Sequence, residues 1–90
     1  MKFTFNAAKD EVNLTKHGIS LSKAKSLDWN EALSWVDKRK DYGEVRMVAL
    51  IPMEQRLYCV VYVDTKVNRK IISLRKANNR EITRYEKEIN

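Results

Sequence analysis

The sequence predicts an α+β domain, an antiparallel β-sheet flanked by two helices near the N-terminus and one at the C-terminus. Three observations predict it. Apolar residues recur at helical spacing before residue 30 and after residue 78, while between them they gather in short runs rich in β-branched and aromatic side chains. Two of those runs, Leu57–Val63 and Arg69–Ala77, are separated by the polar interval Asp64–Asn68, as in an antiparallel hairpin with a longer loop. The order along the chain, one strand, two helices, four strands and a helix, is that of helices gathered around an antiparallel sheet. Ninety residues make one domain, 1–90, with a core but no room for a separate cofactor domain.

The elements follow in order. Met1–Phe5 alternates, with Phe3 and Phe5 on one side, as a short strand does. Asn6 suits the N-cap of a first helix running to Lys16, with Ala8, Val12 and Thr15 at helical spacing and Gly18 at the left-handed position that ends it. Ser20 or Ser22 caps a second helix whose inner face is Leu21, Ala24 and Leu27, closed by Trp29. Ala32–Val36 reads as a strand, Asp37–Asp41 as a charged turn, and Val45–Ile51, apolar on both faces, as a central strand. Pro52 has no N–H for a ladder, so pairing is expected to stop there and Met53–Arg56 to form a loop. After the hairpin, Asn78 and Glu81 resemble a capping box for a last helix with a buried stripe of Ile82, Tyr85 and Ile89.

Composition narrows the function. A formal charge of +6 and a pI near 9.6 favour a polyanionic partner, without distinguishing RNA, DNA and acidic protein. The single cysteine, Cys59, lies in an apolar strand, so no intrachain disulfide is possible and a reducing compartment suits the chain. No apolar run reaches the ~18 residues of a membrane span, and the N-terminus has no signal-type apolar segment, so a soluble cytoplasmic protein is expected. With two glycines there is no glycine-rich phosphate loop. One histidine, one cysteine, and the carboxylates Asp28, Asp37, Asp41 and Glu44 lack metal-ligand spacing, so neither metal nor other cofactor is expected.

Metal-free RNA cleavage asks for less. The 2′-hydroxyl attacks the adjacent phosphorus, negative charge gathers there, and the 5′-oxygen leaves needing a proton. Preorganised cations and two proton-transfer groups suffice. Arg75, at the exit of the second hairpin strand, is the candidate phosphate clamp, with a surface pairing to Glu81 as the alternative. Arg46 and Arg69 add positive field or are solvated strand-edge charges. Tyr85 offers a phenol to the leaving group or is a core aromatic. His17 is a convenient general base or a cation at the end of the first helix. Lys76 and Arg80 complete a set of candidate RNA-binding cations with Arg69. Tyr42, Tyr58, Tyr62 and the two tryptophans offer rings on which unpaired bases stack, though packing is the commoner use of Tyr58 and Tyr62.

These residues carry a resemblance. Phe5-Asn6-Ala7-Ala8-Lys9, Asn13, Lys16-His17-Gly18-Ile19-Ser20, Ala24, Asp41-Tyr42, Arg46, Leu57–Tyr62, Arg69, Ile71–Ala77, Glu81 and Tyr85 together resemble the BrnT toxins of bacterial type II toxin-antitoxin systems, compact relatives of the RelE ribonucleases. The likeness implies a RelE-like fold, metal-independent ribonuclease activity, growth arrest, and neutralisation by a BrnA-type antitoxin that also binds operator DNA. It implies a functional surface around Arg46, Arg75 and Tyr85, with His17 and Lys16 nearby. The chain departs from the family pattern at Asn6-Ala7, Leu21, Ile51-Pro52 and Val63-Asp64-Thr65. Two other classes stay open on sequence: a basic nucleic-acid-binding module without catalysis, and a protein-interaction domain whose basic face docks an acidic helix.

Overall fold

A computed structural model describes residues 2–89. The elements are β1 (Lys2–Thr4), α1 (Ala7–His17), 3₁₀ segments at Leu21–Ser26 and Trp29–Glu31, β2 (Leu33–Val36), β3 (Met47–Met53), β4 (Arg56–Asp64), β5 (Asn68–Lys76) and α2 (Asn79–Ile89). They build one five-stranded sheet in the order β1-β5-β4-β3-β2. Neighbouring strands are antiparallel except β1, which runs parallel to β5. The sheet is therefore mixed, where an antiparallel one was expected. The helical segments carry the chain across one face, from the β1 edge to β2 at the other, and β1 closes against the last strand. Met1 of the expected first strand lies outside the described residues; the strand ends at Thr4, leaving Phe5 exposed.

The N-terminal helix forms as the caps dictate. Asn6 Oδ1 accepts from the amides of Ala8 at 2.8 Å and Lys9 at 3.1 Å, and Gly18 ends α1 at φ 69°. Its inward face is not the expected one. Val12 is 63% exposed, and the buried residue is Asn13. β1 pairs only with Asn68–Lys70, so the rest of that edge of β5 needs partners. Asn13 supplies them: its Nδ2 donates to Leu74 O and to Ile19 O, both at 2.8 Å, and its Oδ1 accepts from Leu74 N at 3.2 Å.

The expected second N-terminal helix is a 3₁₀ segment followed by a 3₁₀ turn, so among the described residues one α-helix lies between β1 and β2. The spacing explains it. Leu21, Ala24 and Leu27 are all buried and recur every third residue, which matches the three residues per turn of a 3₁₀ helix. Ser20 caps this segment, and Asp10 of α1 accepts from both Ser20 Oγ and Leu21 N.

This layer closes the first sheet face, where Ile19, Leu21, Ala24 and Leu27 pack on Ala49, Ile51, Tyr58, Val60, Tyr62, Ile71 and Leu74. On the second face Val48, Leu50 and Cys59 are buried, with Leu33, Trp35, Leu57, Val61, Ala77 and Tyr85 around them. Helix α2 lies over it, and α2 buries none of its residues. Of the expected stripe, Ile82 and Ile89 are exposed and Tyr85 alone is half-buried. Pairing also runs through Pro52, against expectation, to Met53 opposite Arg56. Pro52 O accepts from Asp28 N, so its imide nitrogen faces away from β4 and no ladder bond is lost.

Candidate active site

The second sheet face and α2 enclose an open cleft of about 680 Å³. Its floor is Val48, Cys59, Val61 and Ser73; Trp35 to Arg39 form one wall, and Arg80, Glu81 and Arg84 the other. A register shift between Val61 and Tyr62 lets β5 keep both Ile71 and Leu74 in the first-face core while turning Ser73 and Arg75 into the cleft. Five cations, Lys38, Arg39, Arg75, Arg80 and Arg84, meet two carboxylates, Asp37 and Glu81. The cleft thus carries more cations than anions on a concave, partly apolar surface.

Two of the arginines are fixed by carboxylates. Arg75 donates from Nη1 and Nη2 to the two oxygens of Glu81 at 2.8 and 2.9 Å. Glu81 is itself held by the capping box, accepting from Asn78 N while its own amide donates to Asn78 Oδ1, both at 2.9 Å. The Arg75 hydrogen bonds hold the Glu81 carboxyl below its usual range. On the opposite wall the Asp37 side chain is 2% exposed and the Arg39 side chain 74%. Asp37 accepts from Arg39 Nε at 2.9 Å, Arg39 Nη2 at 2.8 Å, Arg39 N at 3.1 Å and Tyr42 Oη at 3.0 Å. The Arg39 side-chain bonds hold the Asp37 carboxyl far below the usual carboxylate range. A buried anion thereby aims an exposed guanidinium. Between the walls, burial pushes the Cys59 thiol up to about 11, so it is a neutral part of the floor.

The residues singled out from the sequence do not all converge. Arg75 and Arg80 line the cleft. Tyr85 packs against the same face, but its hydroxyl donates to Glu31 O at 2.6 Å and its burial raises its pKa. Arg46 precedes β3, stacks on Tyr42 with its guanidinium carbon 4.2 Å from the ring centroid, and lies 3.5 Å from Glu44, outside the cleft lining. His17 and Lys16 border a separate recess between α1 and β5, which meets the cleft at Ser73. Arg69 belongs to the first face: it is sandwiched near Trp29 and Tyr62 at 4.7 and 4.5 Å and donates to both oxygens of Asp64. Lys76, exposed, follows Arg75 by one residue and alternates away from the cleft. The expected single pocket of Arg46, Arg75 and Tyr85 is thus replaced by one in which Arg75 meets Arg39, Arg80 and Arg84.

Sequence reasoning missed Asp37, Arg39 and Arg84 as members of the site. Helical spacing around Ile82, Tyr85 and Ile89 puts Arg84 on the outer face of the last helix, and residues 37–41 read as a charged turn. A signal was present in Asp37-x-Arg39 directly after a strand, the spacing at which an Asx side chain accepts from the amide two residues on. Among the described residues no three His, Cys, Asp or Glu side chains assemble as a metal site, and no helix is long and apolar enough to cross a membrane.

A family model for BrnT, a ribonuclease toxin of type II toxin-antitoxin systems, matches residues 5–81. The chain belongs to the BrnT family of ribonuclease toxins. A comparison with curated proteins finds no match. As a BrnT-family toxin the chain is a ribonuclease, and a type II system provides it with RNA as substrate and an antitoxin as partner. The matched residues take in both walls of the cleft up to Glu81 and stop before Arg84 and Tyr85.

Proposed function

We propose that the cleft under α2 is where this BrnT-family toxin cleaves RNA, with Arg75 as the phosphate clamp and Arg39, Arg80 and Arg84 as supporting cations. The observation that carries the reading is the convergence of four arginines, from β5, α2 and the segment after β2, on one open cleft. A guanidinium can hold two oxygens of a phosphate, and charges aimed at the phosphorus in advance stabilise the pentacoordinate state. Glu81 is the proposed base. Its carboxylate receives both terminal nitrogens of Arg75, so a phosphate meets the guanidinium at its remaining donors, and the adjoining carboxylate is the proposed acceptor of the 2′-hydroxyl proton. The bond from 2′-oxygen to phosphorus forms, the bond from phosphorus to 5′-oxygen breaks, and Glu81 takes the 2′-hydroxyl proton. The 5′-oxygen is protonated from water. The products are a 2′,3′-cyclic phosphate and a 5′-hydroxyl end, and no metal enters the sequence of steps.

In this reading Tyr85 is the strut of α2, Arg46, His17 and Lys16 are contacts for the flanking strand, Arg69 is a packing residue, and Lys76, which faces away from the cleft, takes no part. A RelE-like relationship, a BrnA-type antitoxin that covers the cleft and binds operator DNA, arrest of translation and growth, and a cytoplasmic setting are consistent with the family assignment and complete the proposal. Cleavage of RNA in EDTA by the purified chain tests it. Arg75→Ala is expected to slow cleavage by at least ~100-fold, and a DNA strand of the same sequence is expected to stay intact because it lacks the nucleophile. Equal rates for Arg75→Ala and wild type, or cleavage abolished by EDTA, would overturn it.

A further inference from the structure

Of the two tryptophans, Trp29 is committed to the core. Its Nε1–H donates to Ala24 O at 2.8 Å, and Phe3 and Tyr62 lie against it with centroids 5.4 and 5.3 Å away. Trp35 is held otherwise. It is half-buried on β2, an edge strand, and its indole N–H makes no hydrogen bond among the described residues. The guanidinium carbon of Arg84 lies 3.8 Å from its ring centroid. Arg84 is exposed and belongs to a helix with no buried residue. One wall of the cleft is therefore a flat aromatic ring covered by a single long side chain that another planar group can replace.

What lies beside that ring defines the group. The floor next to it is apolar, from Val48, Cys59 and Val61, and Arg75 stands on β5, across β3 and β4 from β2. An aromatic ring on one wall and a guanidinium across the floor are groups that take, respectively, a nucleobase and a backbone phosphate. A cleft of about 680 Å³ is in the size range that takes a small ligand.

Resting on the assignment of this cleft to RNA cleavage, we propose that Trp35 is the stacking platform for one unpaired nucleobase, so that the substrate is single-stranded RNA with a base turned out beside the scissile phosphate. A base inside a duplex is covered on both sides by its neighbours and cannot reach the ring. A turned-out base takes the ring from Arg84, whose charge then serves an adjacent phosphate. Trp35 is a specificity-determining residue on this account, separate from the clamp at Arg75.

The test is binding of a 2′-O-methylated RNA strand, which cannot be cleaved, followed by tryptophan fluorescence. Emission is expected to fall on binding of the single strand, and a duplex of the same sequence is expected to bind at least about ten-fold more weakly. Trp35→Phe keeps a ring, so it should bind within about three-fold of wild type and lose the quench, since Trp29 is on the other face. Trp35→Ala should weaken binding about ten-fold or more, and an abasic strand should bind wild type and Trp35→Ala equally. Equal affinity for duplex and single strand, a quench that survives in Trp35→Phe, or unchanged affinity in a folded Trp35→Ala would each overturn the inference while leaving the clamp intact. Failure of wild type to bind any strand in a salt-dependent way would overturn the RNA site itself, and this inference with it.

Discussion

Single residues decide how the two halves of the molecule are joined. Asn13 replaces a missing strand partner for β5 with one side chain, satisfying Leu74 N, Leu74 O and Ile19 O in a buried place. Asn13→Ala leaves those groups without partners, and each buried orphan is costly. Stability should fall by about 2–4 kcal/mol, read as a lower urea midpoint with an unchanged slope. Asp37 acts in the same way on the cleft wall. Its pKa is depressed in the folded state, chiefly by its hydrogen bonds from Arg39, so the unfolded chain binds more protons as acid is added. The stability it contributes is complete above the ordinary value of 3.8 and is lost as pH falls through the lower folded value. Asp37→Asn should therefore be less stable than wild type at pH 7, with the difference shrinking toward pH 2. A difference that is constant over that range would contradict this role.

Secondary-structure elements show where sequence patterns are reliable. The caps of α1 and α2 were readable because each rests on a few residues at fixed offsets: Asn6 and Gly18, Asn78 and Glu81. The hairpin of β4 and β5 was readable because both strands are long and β-branched. What could not be read was which side of a helix faces inward when the contact is polar. Val12 looks like a core residue and is exposed, whereas Asn13 looks like a surface residue and is buried. The same blindness hid the site: Asp37 and Arg39 are ordinary turn residues until β3 and β4 bring Arg75 to the far side of the same floor. Helix α2 is held by few contacts. With no buried residue, it is held by its capping box, the Arg75–Glu81 pair, the Trp35–Arg84 stack and the Tyr85 bond to Glu31 O. Tyr85→Phe removes the last of these, worth about 0.5–1.5 kcal/mol, and should speed amide exchange across 79–89 while β4 and β5 keep their protection. Unchanged exchange in α2 would show that the hydroxyl is not its strut.

At the scale of the whole molecule, the two faces of the sheet do different work. One is closed by α1 and the 3₁₀ segments over a continuous core, and Arg69 there is paired with Asp64 and stacked on aromatics. The other is left open enough for a cleft, and there Arg39 and Arg75 are braced by carboxylates while Arg80 and Arg84 stand at α2. A chain of ninety residues with a formal charge of +6 thereby gathers four arginines on one open surface. The structure of the protein with a 2′-O-methylated RNA strand tests this division most directly. The account predicts a backbone phosphate within hydrogen-bonding distance of the Arg75 guanidinium, in the cleft under α2. A strand bound instead across the first face, around Arg69, with the cleft empty, would contradict it.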